Sequence, residues 1–252
     1  MKPEVTVIIP CFMCSSTLER TVDSVFSQGV SCEVILINGC DGNSDTTSTM
    51  NKTANKYSGK VKIFYSGINK GPGYDRNIGI KNASSEYIAF LDSDDYWLPG
   101  KLASDLAILK SSSVDGVCSY FAGEKIQNKK IRKIRKNSFL FKNSIHTSTF
   151  IGRKSKMGYF DSRLYMYAED YLYFAIMLFS NNNIILIPEN TTFYQTSHSQ
   201  ATKKIRKMHK GEKTALKVLY SDKYISIVLY FLALCCVSIK YSIRLIKNQL
   251  KN

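Results

Sequence analysis

The feature that most constrains this chain is an alternation of two hydrophobic patterns along its first half. Short apolar runs occupy residues 5–10, 33–37, 61–65, 87–91 and 116–120. Between them lie stretches of helical period, such as the stripe Leu18, Val22, Val25 and Phe26, and further helices are expected over 44–57, 74–83 and 99–110. Ser16 and Glu19 have the spacing of a capping box for the first helix, and Ser44 or Asp45 can cap the second. Repeated β-α-β units demand a mostly parallel sheet with right-handed crossovers and flanking helices, so the fold class is α/β.

The second half is less regular. Residues 125–144 read as a basic hairpin or loop, 167–179 as a helix with Glu169 and Asp170 in its first turn, 184–188 and 191–195 as short strands, and 203–220 as a basic helix. Residues 224–239 then carry no charge. As a helix, those 16 residues span roughly 24 Å, short of the ~30 Å hydrocarbon core of a bilayer. Beyond them Lys240, Arg244, Lys247 and Lys251 share one helical face, and Ile239, Ile243, Ile246 and Leu250 another. That is the pattern of an interfacial helix with snorkelling basic ends; packing against the domain or a second subunit is the alternative. The expectation is membrane attachment without a full span. The chain enters its first strand directly after Met1-Lys2-Pro3-Glu4, so no secretory leader is expected, and the sequons at Asn51, Asn82 and Asn190 are read as coincidental.

A net charge of +15, from 35 basic and 20 acidic side chains, is concentrated in residues 125–136 and 203–210. Such charge suits nucleic acid, an anionic membrane face or a polyphosphate ligand. The first cluster has no interleaved aromatic and no nucleic-acid-binding signature is present, which favours membrane or phosphate over nucleic acid. Seven scattered cysteines suggest free thiols in a reducing compartment. Cys11-Phe12-Met13-Cys14 is read as small residues at a strand-to-helix turn rather than a redox pair.

The run Phe90-Leu91-Asp92-Ser93-Asp94-Asp95 places three carboxylates directly after an apolar strand. Their mutual repulsion costs free energy unless a cation offsets it. A hard divalent ion, Mg²⁺ or Mn²⁺, is the simplest partner, sharing its oxygen ligands with a substrate phosphate. The alternative is a solvated acidic turn. The position favours a site, because open α/β sheets bind ligands at the carboxyl ends of their strands.

Several motifs, in order, resemble family-2 glycosyltransferases of the GT-A fold. They are Val7-Ile8-Ile9-Pro10 with Leu18 and Ser24 to Gln28; Asp41-Gly42-Asn43-Ser44-Asp45-Thr46-Thr47; Asn69-Lys70-Gly71; Arg76-Asn77-Ile78-Gly79; Asp92-Ser93-Asp94-Asp95 with Pro99; and Phe160-Asp161 followed by Glu169-Asp170. The resemblance covers about residues 4 to 200. It implies that Pro10, Asn38, Asp41, Arg76, Asn77, Asp92 and Ser93 line the nucleotide-sugar site, with Asn38 or Asp41 on the base and Arg76 near the diphosphate. It implies that Asp94, with Asp92 and His198, holds the metal, that Asp170 is the general base, and that Glu169 supports it. This chain departs from the pattern at Gly39-Cys40, an apparent insertion, and at Asp75, whose acid is expected to pair with Arg76. Asp95 is expected to cap the next helix, and His146 to line the acceptor cleft.

The activity so implied is inverting, metal-dependent transfer of a sugar from a nucleotide diphosphate sugar to a glycan or polyprenyl-diphosphate-linked acceptor. The setting is bacterial surface-polysaccharide synthesis at the cytoplasmic face of the inner membrane. Residues 1–200 would form the catalytic domain, with donor and acceptor halves meeting near residue 115, and 201–252 a membrane-associating tail. Two rivals are a sugar-nucleotide nucleotidyltransferase and a non-catalytic binding module. The first needs a Gly-rich basic phosphate loop after the first strand, and Cys11 to Thr17 supplies none. Carboxylates at both Asp94 and Asp170 speak against the second.

Overall fold

The structure is a computed structural model that describes residues 2–39, 42–126, 130–194 and 201–249, the last with side chains from 205 to 247. Asp41, Cys40 and His198 lie outside the described residues, as do parts of the expected 125–144 and 191–195 segments.

The elements run β1 (Val5–Cys11), α1 (Leu18–Phe26), β2 (Cys32–Asn38), α2 (Ser44–Lys56), β3 (Val61–Tyr65), α3 (Pro72–Asn82), β4 (Tyr87–Phe90), β5 (Tyr96–Trp97), α4 (Lys101–Ser111) and β6 (Gly116–Phe121). They continue with β7 (Arg132–Lys133), α5 (Lys136–Phe141), β8 (Ile151–Arg153), α6 (Glu169–Phe179), β9 (Ile184–Phe193), α7 (Ala201–Ser221) and α8 (Ile227–Gln249). One mixed sheet has the order β3-β2-β1-β4-β8-β6-β9-β5, with β7 beside β9. The strands β3, β2, β1 and β4 are parallel, as the alternating pattern requires. Beyond them β8 is antiparallel to both β4 and β6, and parallel pairing returns only between β6 and β9. β8 needs no helical crossover, because it enters from the Thr147–Thr149 helical turn instead.

Central strands alternate their side chains between two cores. Ile8, Ile35, Ile37, Ile88 and Phe90 face α3, α6, α7 and α8, whereas Val7, Ile9, Val34, Leu36, Ala89 and Leu91 face α1 and α4. A Cβ at Gly79 would run into Ile8, so glycine lets α3 lie directly on β1.

Several boundaries differ from expectation. Thr17, not Ser16, caps α1, and no capping box forms: Thr17 Oγ1 donates to the Ser93 carbonyl (2.8 Å) and Glu19 reaches Lys52 (3.0 Å). α2 is capped by Asn43, whose Oδ1 accepts from the Asp45 and Thr46 amides. α4 begins at Lys101 after Gly100, so Asp95 does not cap it. The two short strands expected after 184 are one strand, β9, and the basic stretch contributes β7 and α5.

The C-terminal helices are packed onto the sheet. Ala215, Leu216 and Leu219 of α7 and Ala233 and Val237 of α8 are buried in the same core as Leu172 and Phe174 of α6. The opposite face of α8 exposes Val228, Phe231, Leu232, Ile239, Ile243 and Ile246. Lys240 and Arg244 do not flank that apolar face. They reach toward the domain instead, Lys240 donating to the Phe141 carbonyl and Arg244, still 46% exposed, standing 3.6 Å from Glu212 of α7.

Candidate active site

The turn after β4 is held mainly through its backbone. Thr17 and Thr21 donate to the Ser93 carbonyl (2.8 and 3.0 Å), Thr21 to the Asp95 carbonyl (2.7 Å), and Arg20 to the Asp94 carbonyl (3.2 Å). Ser148, between β7 and β8 in sequence, ties the turn from the other side. Its hydroxyl donates to Asp95 Oδ2 (2.5 Å) and accepts from the Asp92 amide (3.1 Å). Asp95 is therefore a buried structural carboxylate, Ser93 is buried, Asp92 is partly exposed and Asp94 is exposed.

Arg76 joins this turn to the start of α6. It is only 3% exposed, so its charge must be met inside the protein. Its Nη2 donates to Asp92 Oδ1 (2.7 Å) and its Nη1 to Glu169 Oε1 (3.2 Å). The expected Asp75–Arg76 pair does not form. Asp75 points toward Gly39 at the ends of β1 and β2, and burial pushes its carboxyl up to about 7. Asn77 does not present its amide to the donor side either: it donates to the Phe160 carbonyl (2.8 Å) and accepts from the Phe160 amide (2.7 Å), clamping α3 to that segment. Pro10 is buried near the end of β1, and Asn38, also buried, donates to Thr47 Oγ1 (3.1 Å).

Glu169 and Asp170 follow two consecutive left-handed residues, Tyr167 (φ 59°) and Ala168 (φ 76°). Non-glycine residues pay for that conformation, and it persists only where packing enforces it. α7 does so: a Cβ at Gly211 would strike the Tyr167 carbonyl, and Lys207 Nζ lies 3.3 Å from the Tyr167 hydroxyl. The tight turn brings both acids to the sheet. Burial raises the Glu169 carboxyl to about 7 against the pull of Arg76. Burial also raises Asp170, opposed by the bond from the Tyr171 amide (2.7 Å). Asn143 Nδ2 stands 3.5 Å from its other oxygen.

Asp170, Asp92 and Asp95 line one open cavity of about 590 Å³, together with Glu124, His146 and Tyr194. His146 lies at this cavity, its ring tilted against Phe121 and its Nε2 3.2 Å from Glu124. Residues 40–41 and 195–200 lie outside the described residues.

These relationships place the chain among known proteins. Residues 6–172 match the model of glycosyl transferase family 2. The chain belongs to that family. It is 36% identical over 112 residues to the Escherichia coli UDP-Glc:alpha-D-GlcNAc-diphosphoundecaprenol beta-1,3-glucosyltransferase WfaP, covering 44% of this chain and 43% of WfaP. It is 27% identical over 190 residues to the enzyme of the same description, WfgD, covering 73% and 72%. Thus the match spans less than half of WfaP. Among solved structures, Staphylococcus aureus TarS 1–349 in complex with UDP-GlcNAc superposes with TM-score 0.70 at 19% identity, over 92% of this chain and 70% of TarS. The Pyrobaculum calidifontis mannosyltransferase PcManGT, in complex with GDP-Man and Mn²⁺, gives 0.70 at 15%, over 95% and 74%. The family-2 member thus has the GT-A architecture anticipated from its motifs.

The acid turn fits a hard cation. Its donors are carboxylate oxygens, Asp94 exposed and Asp92 partly so. Among the described residues no group of three or more His, Cys, Asp or Glu side chains is close enough to hold a metal ion by itself. Two protein carboxylates with the remaining ligands from phosphate and water is the manner in which Mg²⁺ and Mn²⁺ are usually held. Ser148, Asn143 and Thr21 were invisible in the sequence as site-building residues, because hydroxyls and amides in irregular segments carry no periodic signal.

Proposed function

We propose that this chain is an inverting, metal-dependent glycosyltransferase. It moves a sugar from a nucleotide diphosphate sugar to a glycan or polyprenyl-diphosphate-linked acceptor in bacterial surface-polysaccharide synthesis. The observation that carries the reading is the Arg76 bridge. One buried guanidinium holds Asp92 of the acid turn and Glu169 of the acid pair, so Asp170 opens on the same cavity as the turn.

In this reading Asp170 takes the proton of the acceptor hydroxyl as that oxygen attacks the anomeric carbon. The new C–O bond forms while the bond to the nucleotide diphosphate breaks, and the diphosphate departs with the electron pair. A single displacement inverts the anomeric centre. A raised carboxyl pKa makes Asp170 a better proton acceptor once ionised, and such a base contributes about 10²–10⁴-fold. Glu169 stays on Arg76 and fixes the position of its neighbour. A divalent ion bound at Asp94 and Asp92 would supply Lewis-acid stabilisation of the leaving diphosphate.

The outer face of α8 is assigned to the cytoplasmic surface of the inner membrane. The helix is long and apolar enough to cross a bilayer. Its inner face, however, is fastened to α5 and α7 through Val237, Lys240 and Arg244, which suits an interfacial position. Because α8 shields the core, Leu232→Glu with Ile239→Glu tests membrane binding better than truncation. Co-sedimentation with anionic vesicles should be lost in that variant, and retention would remove the membrane assignment.

The catalytic test is a screen of nucleotide-sugars with Mn²⁺ or Mg²⁺. Release of nucleoside diphosphate that stops with chelator is the expected result. Release of pyrophosphate would indicate a nucleotidyltransferase, and binding without turnover a non-catalytic module.

A further inference from the structure

Asp170 lines two cavities, not one. On one side is the 590 Å³ cavity it shares with Asp92 and Asp95. On the other is a smaller cavity of about 220 Å³ between α5, α6, α7 and α8. Lys142, Lys240 and Arg244 bring three cations to that second cavity, against the carboxylates of Asp170 and Glu212. Burial pushes Glu212 up from the ordinary carboxylate range, with Arg244 and Lys240 pulling it down. At 3.6 Å the Arg244–Glu212 pair is loose, leaving guanidinium donors to offer elsewhere.

Size decides what can enter. Sites for drug-sized ligands run about 300–1,000 Å³, so the larger cavity suits a nucleotide-sugar and the smaller one only a compact group. Three cations beside a carboxylate suit a compact polyanion whose attached group reaches that carboxylate. The outer face of α8 at the same level carries Ile239, Ile243 and Ile246. A helix is about 10–12 Å across, so the α8 cations Lys240 and Arg244, directed toward Phe141 and Glu212, lie within one helix diameter of the apolar face. With that face on a bilayer, they sit where the headgroup of an embedded molecule emerges.

We propose that the cavity between α5, α6 and α8 is the acceptor subsite for a lipid-linked sugar diphosphate. Lys142, Lys240 and Arg244 hold the diphosphate, the sugar reaches the Asp170 aperture, and the lipid runs past α8 into the membrane. The role given to Asp170 rests on the glycosyltransferase reading; the binding site itself can be tested without turnover. The location also accounts for Lys240 and Arg244 reaching toward α5 and α7 from a helix whose opposite face is apolar.

The test is calorimetric binding to the full chain of three probes: decyl diphosphate, inorganic pyrophosphate and phosphatidylglycerol vesicles. Decyl diphosphate should bind more tightly than pyrophosphate. Lys240→Ala with Arg244→Ala should weaken it by about tenfold to a hundredfold per cation, the strength of a charge-assisted bond. Lys240→Arg with Arg244→Lys should keep most of the affinity. Asp170→Asn, which removes a negative charge from the wall, should tighten it. If the double alanine variant melts well below wild type, the exposed Lys142→Ala carries the same test. Equal decyl diphosphate binding by wild type and the cation variants would overturn the subsite. Pyrophosphate binding as tightly as decyl diphosphate would overturn the lipid-linked ligand in favour of free phosphate. Cation-dependent binding of vesicles alone would make this a headgroup site. Absence of any sugar transfer with these binding contrasts intact would defeat the glycosyltransferase reading and leave the subsite standing.

Discussion

The two acidic clusters, Asp92 to Asp95 and Glu169-Asp170, look alike in sequence and are built in opposite ways. The first is an open turn held by backbone carbonyls, with its middle acid in solvent and its last one buried on Ser148. The second sits at a helix start, behind two left-handed residues, with burial raising both carboxyls. Each cluster nevertheless divides its work in the same manner. One acid of each cluster is buried, Asp95 or Glu169, and the proposed function gives the chemistry to its companion, the exposed Asp94 or the cavity-lining Asp170. Adjacent carboxylates therefore do not share an environment, and their roles follow from what each faces.

The sharpest break in this comparison is Asp170→Asn. Transfer should fall by about 10²–10⁴-fold while donor affinity stays near wild type, measured by single-turnover transfer and donor titration. A parallel fall in both would make the acid pair structural and erase the division of labour.

Next in size is the bridge between the clusters. Arg76→Ala leaves Glu169 and Asp92 without their shared cation. Removing one partner of a buried ion pair costs about 3–5 kcal/mol. For a chain of this size that corresponds to a drop of about 6–20 °C in melting temperature, read by thermal denaturation. A smaller loss would mean that the two clusters are held independently.

The pH dependence distinguishes the clusters further. Glu169 is raised to about 7 in the folded chain from an ordinary 4.5, so between those values the folded state holds the extra proton. Its contribution to stability is complete below about pH 4.5 and fades as pH rises through about 7. Glu169→Gln keeps the shape without titrating. Its melting temperature should vary less over that window, by up to about 7–14 °C, and should match or exceed wild type at pH 8. An unchanged slope would show that Arg76 keeps Glu169 ionised.

Smallest is the contrast inside the acid turn. Asp95→Ala removes the acceptor of the Ser148 hydroxyl and should cost about 1–3 kcal/mol. Asp94→Ala, at an exposed position, should shift the melting temperature by no more than about 1–2 °C yet abolish metal-stimulated turnover. Full activity with chelator present would remove the metal from the turn.

Much of this was legible in the chain because it is local. The parallel strands β1 to β4 announce themselves by apolar runs, and the acid turn by its place after one of them. The resemblance to family-2 glycosyltransferases rested on motif order, which survives in a linear sequence. The antiparallel β8, the continuous β9 and the partners of Arg76 were not legible. Asp75 is adjacent to Arg76 and was the natural partner on paper. On a helix, however, neighbouring side chains point about 100° apart, and Arg76 turned to acids 16 and 93 residues away.

The tail makes the same point for function. Its sequence determined an apolar helix with basic residues at one end, since period and composition suffice for that. Which face meets the domain was decided only in three dimensions. Ala233 and Val237 are small enough to pack closely on the core, and that contact directs Lys240 and Arg244 toward α5 and α7 and leaves Phe231, Leu232 and Ile239 outside. Hydrophobic pattern is a property of one segment, and the sequence carries it alone. The partner of a charge depends on which segments the packed core brings together, and only the tertiary structure decides that.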